Sequence, residues 1–192
     1  MTPVPSASQR TPQDGQRYDI DGLLKDLGDI PVVMEPGVVR RKSRDYFWYS
    51  PILNKSLHGK SADVLVAPRN EADIVKTAAA CAKRRIPITV RAGATGNYGQ
   101  AVPLDGGVLL DINSLDRVVS WKPGAARLQA GARMHEIDAL TRPGGWELRM
   151  HPSTKRMATI GGFVSGGSGG VGSLTYGGLR EPGNILAARV VT

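Results

Sequence analysis

Polar and apolar positions divide the start of the chain into a tail and a helix. Residues 1–17 are rich in Pro, Ser, Gln and Thr and carry hardly any apolar side chain. They bury too little surface to offset the entropy of ordering, so a disordered tail is predicted. Beyond them, apolar residues at helical spacing predict an amphipathic helix that ends at Gly28. These apolar residues are Ile20, Leu23, Leu24 and Leu27.

Residues 18–60 are predicted to form one N-terminal segment that packs against the rest of the chain. Within it, residues 45–51 read Asp-Tyr-Phe-Trp-Tyr-Ser-Pro and concentrate the aromatic side chains. Large rings stabilise a fold most when they are buried. We therefore expect these rings to lie in the interior and to fix the segment onto the body of the protein.

The pattern that follows predicts a β-α-β unit. Residues 63–67 form a short apolar strand, and Asn70 is a helix N-cap with Asp73 at the capping-box position. The helix is expected to end at Arg85, before Pro87. Residues 88–91 give a second strand. We expect the two strands to be a parallel pair joined by a right-handed crossover.

Further predicted strands and a helix indicate that the chain has an α+β fold. A helix is predicted from Met134 to Thr141 and is ended by Pro143 and Gly144. The apolar run at residues 185–191 is predicted to be another strand. Three more short strands are separated by turn residues. They lie at residues 107–111, 117–121 and 127–130.

Two glycine-rich stretches are the main candidates for a ligand site. Half of the positions between residues 161 and 178 are glycine, and a shorter loop, Gly-Ala-Thr-Gly-Asn-Tyr-Gly, occupies residues 93–99. Glycine lets the backbone approach a ligand closely and aim amide N–H groups at anionic oxygens. The alternative for residues 161–178 is a flexible linker. Interleaved apolar residues such as Phe163 and Val171 favour a folded segment. Two such loops suggest a long ligand that carries phosphate.

The first loop does not have the geometry of a Rossmann dinucleotide site. A Rossmann loop lies between the first strand and its helix, whereas residues 93–99 follow the second strand. Their glycine spacing also differs from G-x-G-x-x-G. A phosphate-bearing ligand would therefore be held by a different fold.

Composition and charge narrow the function classes. The 192 residues are 41% hydrophobic and 22% charged, which is typical of a folded globular chain. A net charge of +8 is compatible with nucleic-acid binding, but the charge is dispersed and aromatic residues make up only 5%. The two tight basic clusters are residues 40–44 and 83–85, and the second lies at a predicted helix C-terminus, which favours cations. We predict no nucleic-acid partner.

Several other site classes are not expected. Cys81 is a single cysteine on a predicted helix face and is predicted to be a small core residue. The pair His135-Glu136 lacks the second histidine of a zinc helix, because position 139 is alanine, so no metal site is predicted. The chain shows no secretory signal and no apolar run long enough to span a membrane. A cytoplasmic location is expected.

In order and spacing, three segments resemble one known family. They are residues 64–74 (Val-Leu-Val-Ala-Pro-Arg-Asn-Glu-Ala-Asp-Ile), residues 91–96 (Arg-Ala-Gly-Ala-Thr-Gly), and Pro152-Ser153-Thr154 followed by residues 159–162 (Thr-Ile-Gly-Gly). The chain from about residue 61 is similar to the PCMH-type FAD-binding domain of the vanillyl-alcohol oxidase / p-cresol methylhydroxylase family. Within that family it resembles the branch of glycolate oxidase FAD subunits and D-lactate dehydrogenases.

The resemblance implies a fold and a set of cofactor-binding residues. The fold would be two α+β subdomains that hold FAD between them, with residues 61–192 forming an incomplete FAD-binding domain. The pyrophosphate would be cradled by Ala92, Gly93, Ala94, Thr95, Gly96 and Asn97. The isoalloxazine and its ribityl chain would be lined by Pro152, Ser153, Thr154, Thr159, Gly161, Gly162, Ser165, Gly166 and Gly167. Catalytic residues are not identified.

Two departures from the family bear on the chemistry. Relatives with covalent flavin often carry histidine where this chain has Thr95, so FAD is expected to bind non-covalently. The family's domain continues past the segment matching residues 185–191 into a substrate domain, so the chain is expected to be a fragment.

The leading hypothesis for its function is that the chain is the FAD-binding portion of an oxidoreductase acting on a 2-hydroxy acid or similar small alcohol. The alternative is a non-catalytic FAD subunit that needs a partner chain for the substrate half. A basic nucleotide- or RNA-binding module is the third hypothesis.

Overall fold

The computed structural model describes residues 17–192, in which helices pack on a small sheet and a β-hairpin leads into a second helical layer. The strands are β1 (Val32–Val33), β2 (Val64–Val66), β3 (Ile88–Arg91), β4 (Val108–Asp111), β5 (Val118–Lys122) and β6 (Ala125–Leu128). The helices are α1 (Ile20–Leu27), α2 (Pro36–Lys42), α3 (Pro51–Leu57), α4 (Glu71–Arg84), α5 (Met134–Thr141), α6 (Ile160–Ser165) and α7 (Ser173–Tyr176). Residues 1–16 of the predicted tail lie outside the described residues.

Local capping explains the helices that the sequence predicted. The Asp19 carboxylate accepts a hydrogen bond from Gly22 N at 2.9 Å and begins α1. Asn70 accepts from Asp73 N at 2.9 Å and begins α4. Asp73 reaches one residue further back than a capping box and accepts from Arg69 N, also at 2.9 Å. Arg85 ends α4 in the left-handed conformation with φ of 55°. The predicted bounds of α1 and α4 are confirmed.

The order of the sheet corrects the predicted β-α-β pair. β2 and β3 are parallel, but each pairs with β4, which lies between them in the order β1-β2-β4-β3. All four residues of β4 are buried, so this strand takes the central position, where both faces and both edges are covered. The carboxyl ends of β2, β3 and β4 therefore point to the same edge of the sheet.

The two faces of the sheet pack against different helices. Val64, Val108 and Leu110 pack with Leu23 and Leu27 of α1 and with the inner side of α4. The opposite face carries Leu65 and Leu109, which pack with Val39 of α2 and with Ala62. Cys81 is fully buried within the first of these clusters, as predicted, and burial raises the pKa of its thiol to about 11.

A second, smaller core lies beyond the β5–β6 hairpin. Met134, Met150, Ala158 and Phe163 are buried together, with Leu148 and Ile160 packed against them. Phe163 belongs to α6, which lies inside the glycine-rich stretch. This stretch also contains α7, so it is a folded segment and the linker alternative is wrong.

Two expectations about apolar residues are corrected. Of the aromatic run only Phe47 is buried, while Trp48 and Tyr49 are 44% and 66% exposed and stack on each other with ring centroids 4.0 Å apart. Residues 185–191 form no strand, and Leu186 and Val190 are exposed. A strand needs a neighbour to satisfy its backbone groups, and no strand of residues 17–192 pairs with this run.

Three further observations concern the tail, the membrane and metal ions. Arg17, at the end of the predicted tail, forms an ion pair with Asp105 at 3.0 Å. No helix within residues 17–192 is long and apolar enough to cross a membrane. Nor does this part of the chain bring three or more His, Cys, Asp or Glu side chains together in a group that could hold a metal ion.

Candidate functional site

The first glycine loop leaves β3 at the carboxyl edge of the parallel strands. Ala94 has φ of 47°, a left-handed conformation that is uncommon for a residue with a Cβ. No described residue accepts a hydrogen bond from the backbone N–H groups of residues 93–97. The Thr95 hydroxyl likewise has no partner among them. Consecutive free N–H groups in such a loop form a concave site for an anion.

Polar side chains beneath the loop hold it in place. Asn113 donates from Nδ2 to the carbonyl oxygen of Ala92 at 3.1 Å and also to the Asp111 carboxylate. Asp111 ends β4, is buried, and forms an ion pair with Lys42 at 3.0 Å. Arg91, which pairs with Asp111 in the β3–β4 register, is partly buried, and burial lowers the pKa of its guanidinium.

A second loop, residues 152–158, contains the predicted contacts Pro152, Ser153 and Thr154 and is fixed by a largely buried ion pair. Lys155 contacts the carboxylate of Asp138, a buried residue of α5 that also accepts from Leu148 N at 2.8 Å. The chain then turns tightly, because Met157 N and Ala158 N both donate to the Thr154 carbonyl oxygen. Within the described chain, the backbone N–H and hydroxyl groups of Ser153 and Thr154 have no hydrogen-bond partner. They are available to a ligand.

Thr159 connects this loop to α6 at the start of the glycine-rich stretch. Its Oγ1 accepts from Gly162 N at 3.4 Å, and its backbone forms a bridge with Arg133. Gly161 is needed for packing, since a Cβ there would lie 2.6 Å from the Cβ of Ala130. Gly162 differs, because its added Cβ would meet only Thr159 Oγ1 at 3.3 Å. Gly162 therefore presents an open backbone surface.

The structure brings the two loops into direct contact at Gly93. A Cβ added to Gly93 would overlap the carbonyl oxygen of Met157, so only glycine permits this approach. The free N–H groups of the first loop thus lie next to the second loop. Ser165, Gly166 and Gly167 lie at the other end of α6, and Gly167 has a positive φ of 58°.

Three residues of this region were missed by sequence reasoning. Met157 contacts Gly93 through its backbone, which leaves no mark in the sequence. His151 pairs with Val171 through two backbone hydrogen bonds of 3.1 and 2.9 Å and so ties the second loop to the glycine-rich stretch. Arg156 is exposed and pairs with no carboxylate of the described residues. Its position between the flanking turns and its charge could have marked it as a candidate phosphate contact.

Relatives named as dehydrogenases or oxidase subunits match the chain. D-2-hydroxyglutarate dehydrogenase of Escherichia coli (strain K12) is 31% identical over 144 residues, which is 72% of this chain and 14% of that protein. Glycolate oxidase subunit GlcD of the same strain is 32% identical over 116 residues, covering 59% of this chain and 23% of that protein. The chain therefore spans less than a quarter of the length of either relative.

Solved structures show the same fold. An alkyldihydroxyacetonephosphate synthase matches 93% of this chain and 35% of its own with a TM-score of 0.73 and 16% identity. p-Cresol methylhydroxylase matches 76% of this chain and 28% of its own with a TM-score of 0.61 and 16% identity. The predicted PCMH-type α+β fold is confirmed by these likenesses.

The family described as FAD binding domain matches residues 62–192. This match includes both loops and the glycine-rich stretch. The free N–H groups of the first loop and the open surface at Gly162 are compatible with a ligand that carries a pyrophosphate. The chain therefore belongs to the FAD binding domain family, and FAD is its cofactor.

Proposed function

We propose that this chain is the FAD-binding part of a flavin-dependent oxidoreductase that acts on a 2-hydroxy acid. The observation that carries the proposal is the contact of two donor-rich loops at Gly93 within a family match. The names of the relatives, D-2-hydroxyglutarate dehydrogenase and glycolate oxidase subunit GlcD, support the substrate class. Bound flavin would supply the redox chemistry, and the protein would supply binding and orientation.

Each loop has a separate task in this proposal. The N–H groups of residues 93–97 bind the pyrophosphate oxygens, and the Thr95 hydroxyl adds a donor. Ser153, Thr154 and the open face of α6 at Gly162 orient the ribityl chain and the ring system. Residues 61–192 form the FAD-binding domain and residues 18–60 form an N-terminal segment packed on it.

Flavin titration of the full chain tests the proposal. We expect FAD to bind saturably and riboflavin to bind at least about tenfold more weakly, because riboflavin lacks the pyrophosphate that the first loop recognises. Quenching of flavin fluorescence measures both affinities. Equal affinities would show that the first loop does not bind pyrophosphate, and absence of FAD binding would overturn the proposal as a whole.

We expect bound FAD to be released when the protein is denatured. Thr95 is no nucleophile comparable to histidine, and the thiol of Cys81 is buried against α1 with its pKa raised to about 11. The protein is denatured with acid or heat and the precipitate is washed. Flavin absorbance that remained with the washed polypeptide would establish a covalent bond.

A second candidate is a non-catalytic FAD subunit whose substrate half lies on a partner chain. The buried carboxylates beside the loops favour it, because Asp111 is paired with Lys42 and Asp138 with Lys155, so each carboxylate already has a cationic partner within this chain. We expect FAD in this chain to stay oxidised with D-lactate, glycolate or D-2-hydroxyglutarate and to be bleached by dithionite. Bleaching by any of the three acids would show that the chain holds its own catalytic groups.

A further inference from the structure

Residues 42–46 lie outside the family match, which begins at residue 62, yet they hydrogen-bond to the first loop and to residues on either side of it. Tyr46 N donates to the carbonyl oxygen of Gly96 at 2.9 Å. A trans peptide is planar, so its C=O and the following N–H point in opposite directions. Fixing the Gly96 carbonyl therefore aims the N–H of Asn97 away from Tyr46.

Asn113 acts in the same way at the start of the loop. Its side chain donates to the Ala92 carbonyl oxygen, so the following N–H, that of Gly93, points away from Asn113.

The Asp45 carboxylate shapes the turn that presents Tyr46. Asp45 is 6% exposed, and its Oδ1 accepts from Phe47 N at 2.9 Å. Its Oδ2 accepts from Ala101 N at 3.4 Å, just beyond the loop. One carboxylate thus connects the N-terminal segment to the far end of the loop. The bond from Phe47 N has the ordinary length and fixes the turn, whereas the bond from Ala101 N is long.

Arg91 connects the same segment to the start of the loop. Its Nη1 donates to the carbonyl oxygen of Lys42 and, at 3.4 Å, to that of Arg44. Burial lowers the pKa of this guanidinium, while the negative charges of Asp111 and Asp45 oppose that effect. Hydrogen bonds therefore hold the loop at both ends and through its carbonyl groups. Its N–H groups are left on the side that these contacts do not cover.

We infer that residues 42–46 are part of the cofactor site, with Asp45 and Arg91 as positioning residues that aim the loop's N–H groups at the pyrophosphate of FAD. This inference rests on the proposed function of the loop. It moves the N-terminal boundary of the FAD-binding unit from residue 62 into the preceding segment. None of these residues needs to touch FAD through its side chain.

The test compares two Asp→Asn variants of the full chain. Asp45→Asn replaces one acceptor oxygen with an NH2 group that faces an N–H donor. Asp19→Asn is the control for the same chemical change at an exposed site, because Asp19 accepts from one backbone N–H and contacts Arg84 at the C-terminal end of α4. We expect Asp45→Asn to weaken FAD about five- to tenfold and riboflavin less than about twofold, with Asp19→Asn close to the parent.

Each outcome decides the inference. Unchanged FAD affinity in Asp45→Asn, with a parent that binds FAD, overturns the inference and leaves the proposed function intact. Equal losses for FAD and riboflavin also overturn it, since they would indicate general destabilisation. A parent without FAD affinity overturns both the inference and the proposed function.

The role of Arg91 is tested with two further variants. Arg91→Met is expected to lose FAD affinity as Asp45→Asn does. Arg91→Lys is expected to recover part of it, because lysine, unlike methionine, retains a donor for the two carbonyls. Indistinguishable Met and Lys variants would contradict the role of Arg91.

Discussion

The Gly162→Val chain is expected to fold like the parent and to bind FAD at least about a hundredfold more weakly, because a branched side chain would occupy the space beside α6 in which we propose that the cofactor lies. Gly162 is helical and has no positive φ, and its Cβ would meet only Thr159 Oγ1 at 3.3 Å. Valine is a better helix former than glycine, so the free energy of unfolding should not fall. Flavin fluorescence and thermal unfolding measure the two effects separately.

Gly178→Val is the matched control for this result. Gly178 lies in the same glycine-rich stretch, has no positive φ, and a Cβ there would meet nothing within 4 Å. We expect its FAD affinity to be within about twofold of the parent. Equal affinities of the Gly162→Val chain and the parent would show that α6 does not face FAD. Equal losses in both variants would show that the stretch tolerates no side chain for reasons other than the cofactor.

Local signals in the sequence were sufficient for most of the helices. Asp19 and Asn70 cap α1 and α4 through side-chain contacts three residues away, and Gly28 and Arg85 end the same helices. Such contacts depend on neighbouring residues alone, so they can be read without knowledge of the fold. The burial of Cys81 followed from the same periodicity.

Features that depend on distant residues were not predicted. The position of β4 between β2 and β3 is set by competition among strands for the centre of the sheet, which the order along the chain does not reveal. Phe47 is buried while Trp48 and Tyr49 are exposed, and the aromatic character that the three share does not distinguish them. The apolar run at residues 185–191 has the composition of a strand but lacks a neighbouring strand in the described chain.

In the candidate site, too, the features set by nearby residues were predicted and those set by distant residues were not. Glycine density marked the two loops, because dense glycine in a folded segment indicates close backbone approach. The contact of Gly93 with Met157 and the bond of Tyr46 N to Gly96 depend on the partner's backbone atoms, so the residue types of Met157 and Tyr46 do not predict them. Roles of Ser165, Gly166 and Gly167 toward the flavin stay predictions, as do the individual roles of the other loop residues.

The contact between the loops gives the last prediction, in which Gly93→Ala is expected to lower FAD affinity at least about a hundredfold and the free energy of unfolding by about 2 kcal/mol. The added methyl group would overlap the Met157 carbonyl, and backbone can yield only if the two loops separate. A separation of the loops would move the N–H groups of residues 93–97 away from Ser153 and Thr154.

Gly96→Ala distinguishes this mechanism from a general intolerance of the loop. Gly96 has no positive φ, and its Cβ would lie 2.6 Å from Oε1 of Gln100, the end of an exposed side chain that can rotate away with the loss of one hydrogen bond, from Tyr98 N. We expect its FAD affinity to fall less than about fivefold and its unfolding midpoint to match the parent. Should Gly93→Ala bind FAD as tightly as Gly96→Ala, the contact between the loops would not be required for the cofactor.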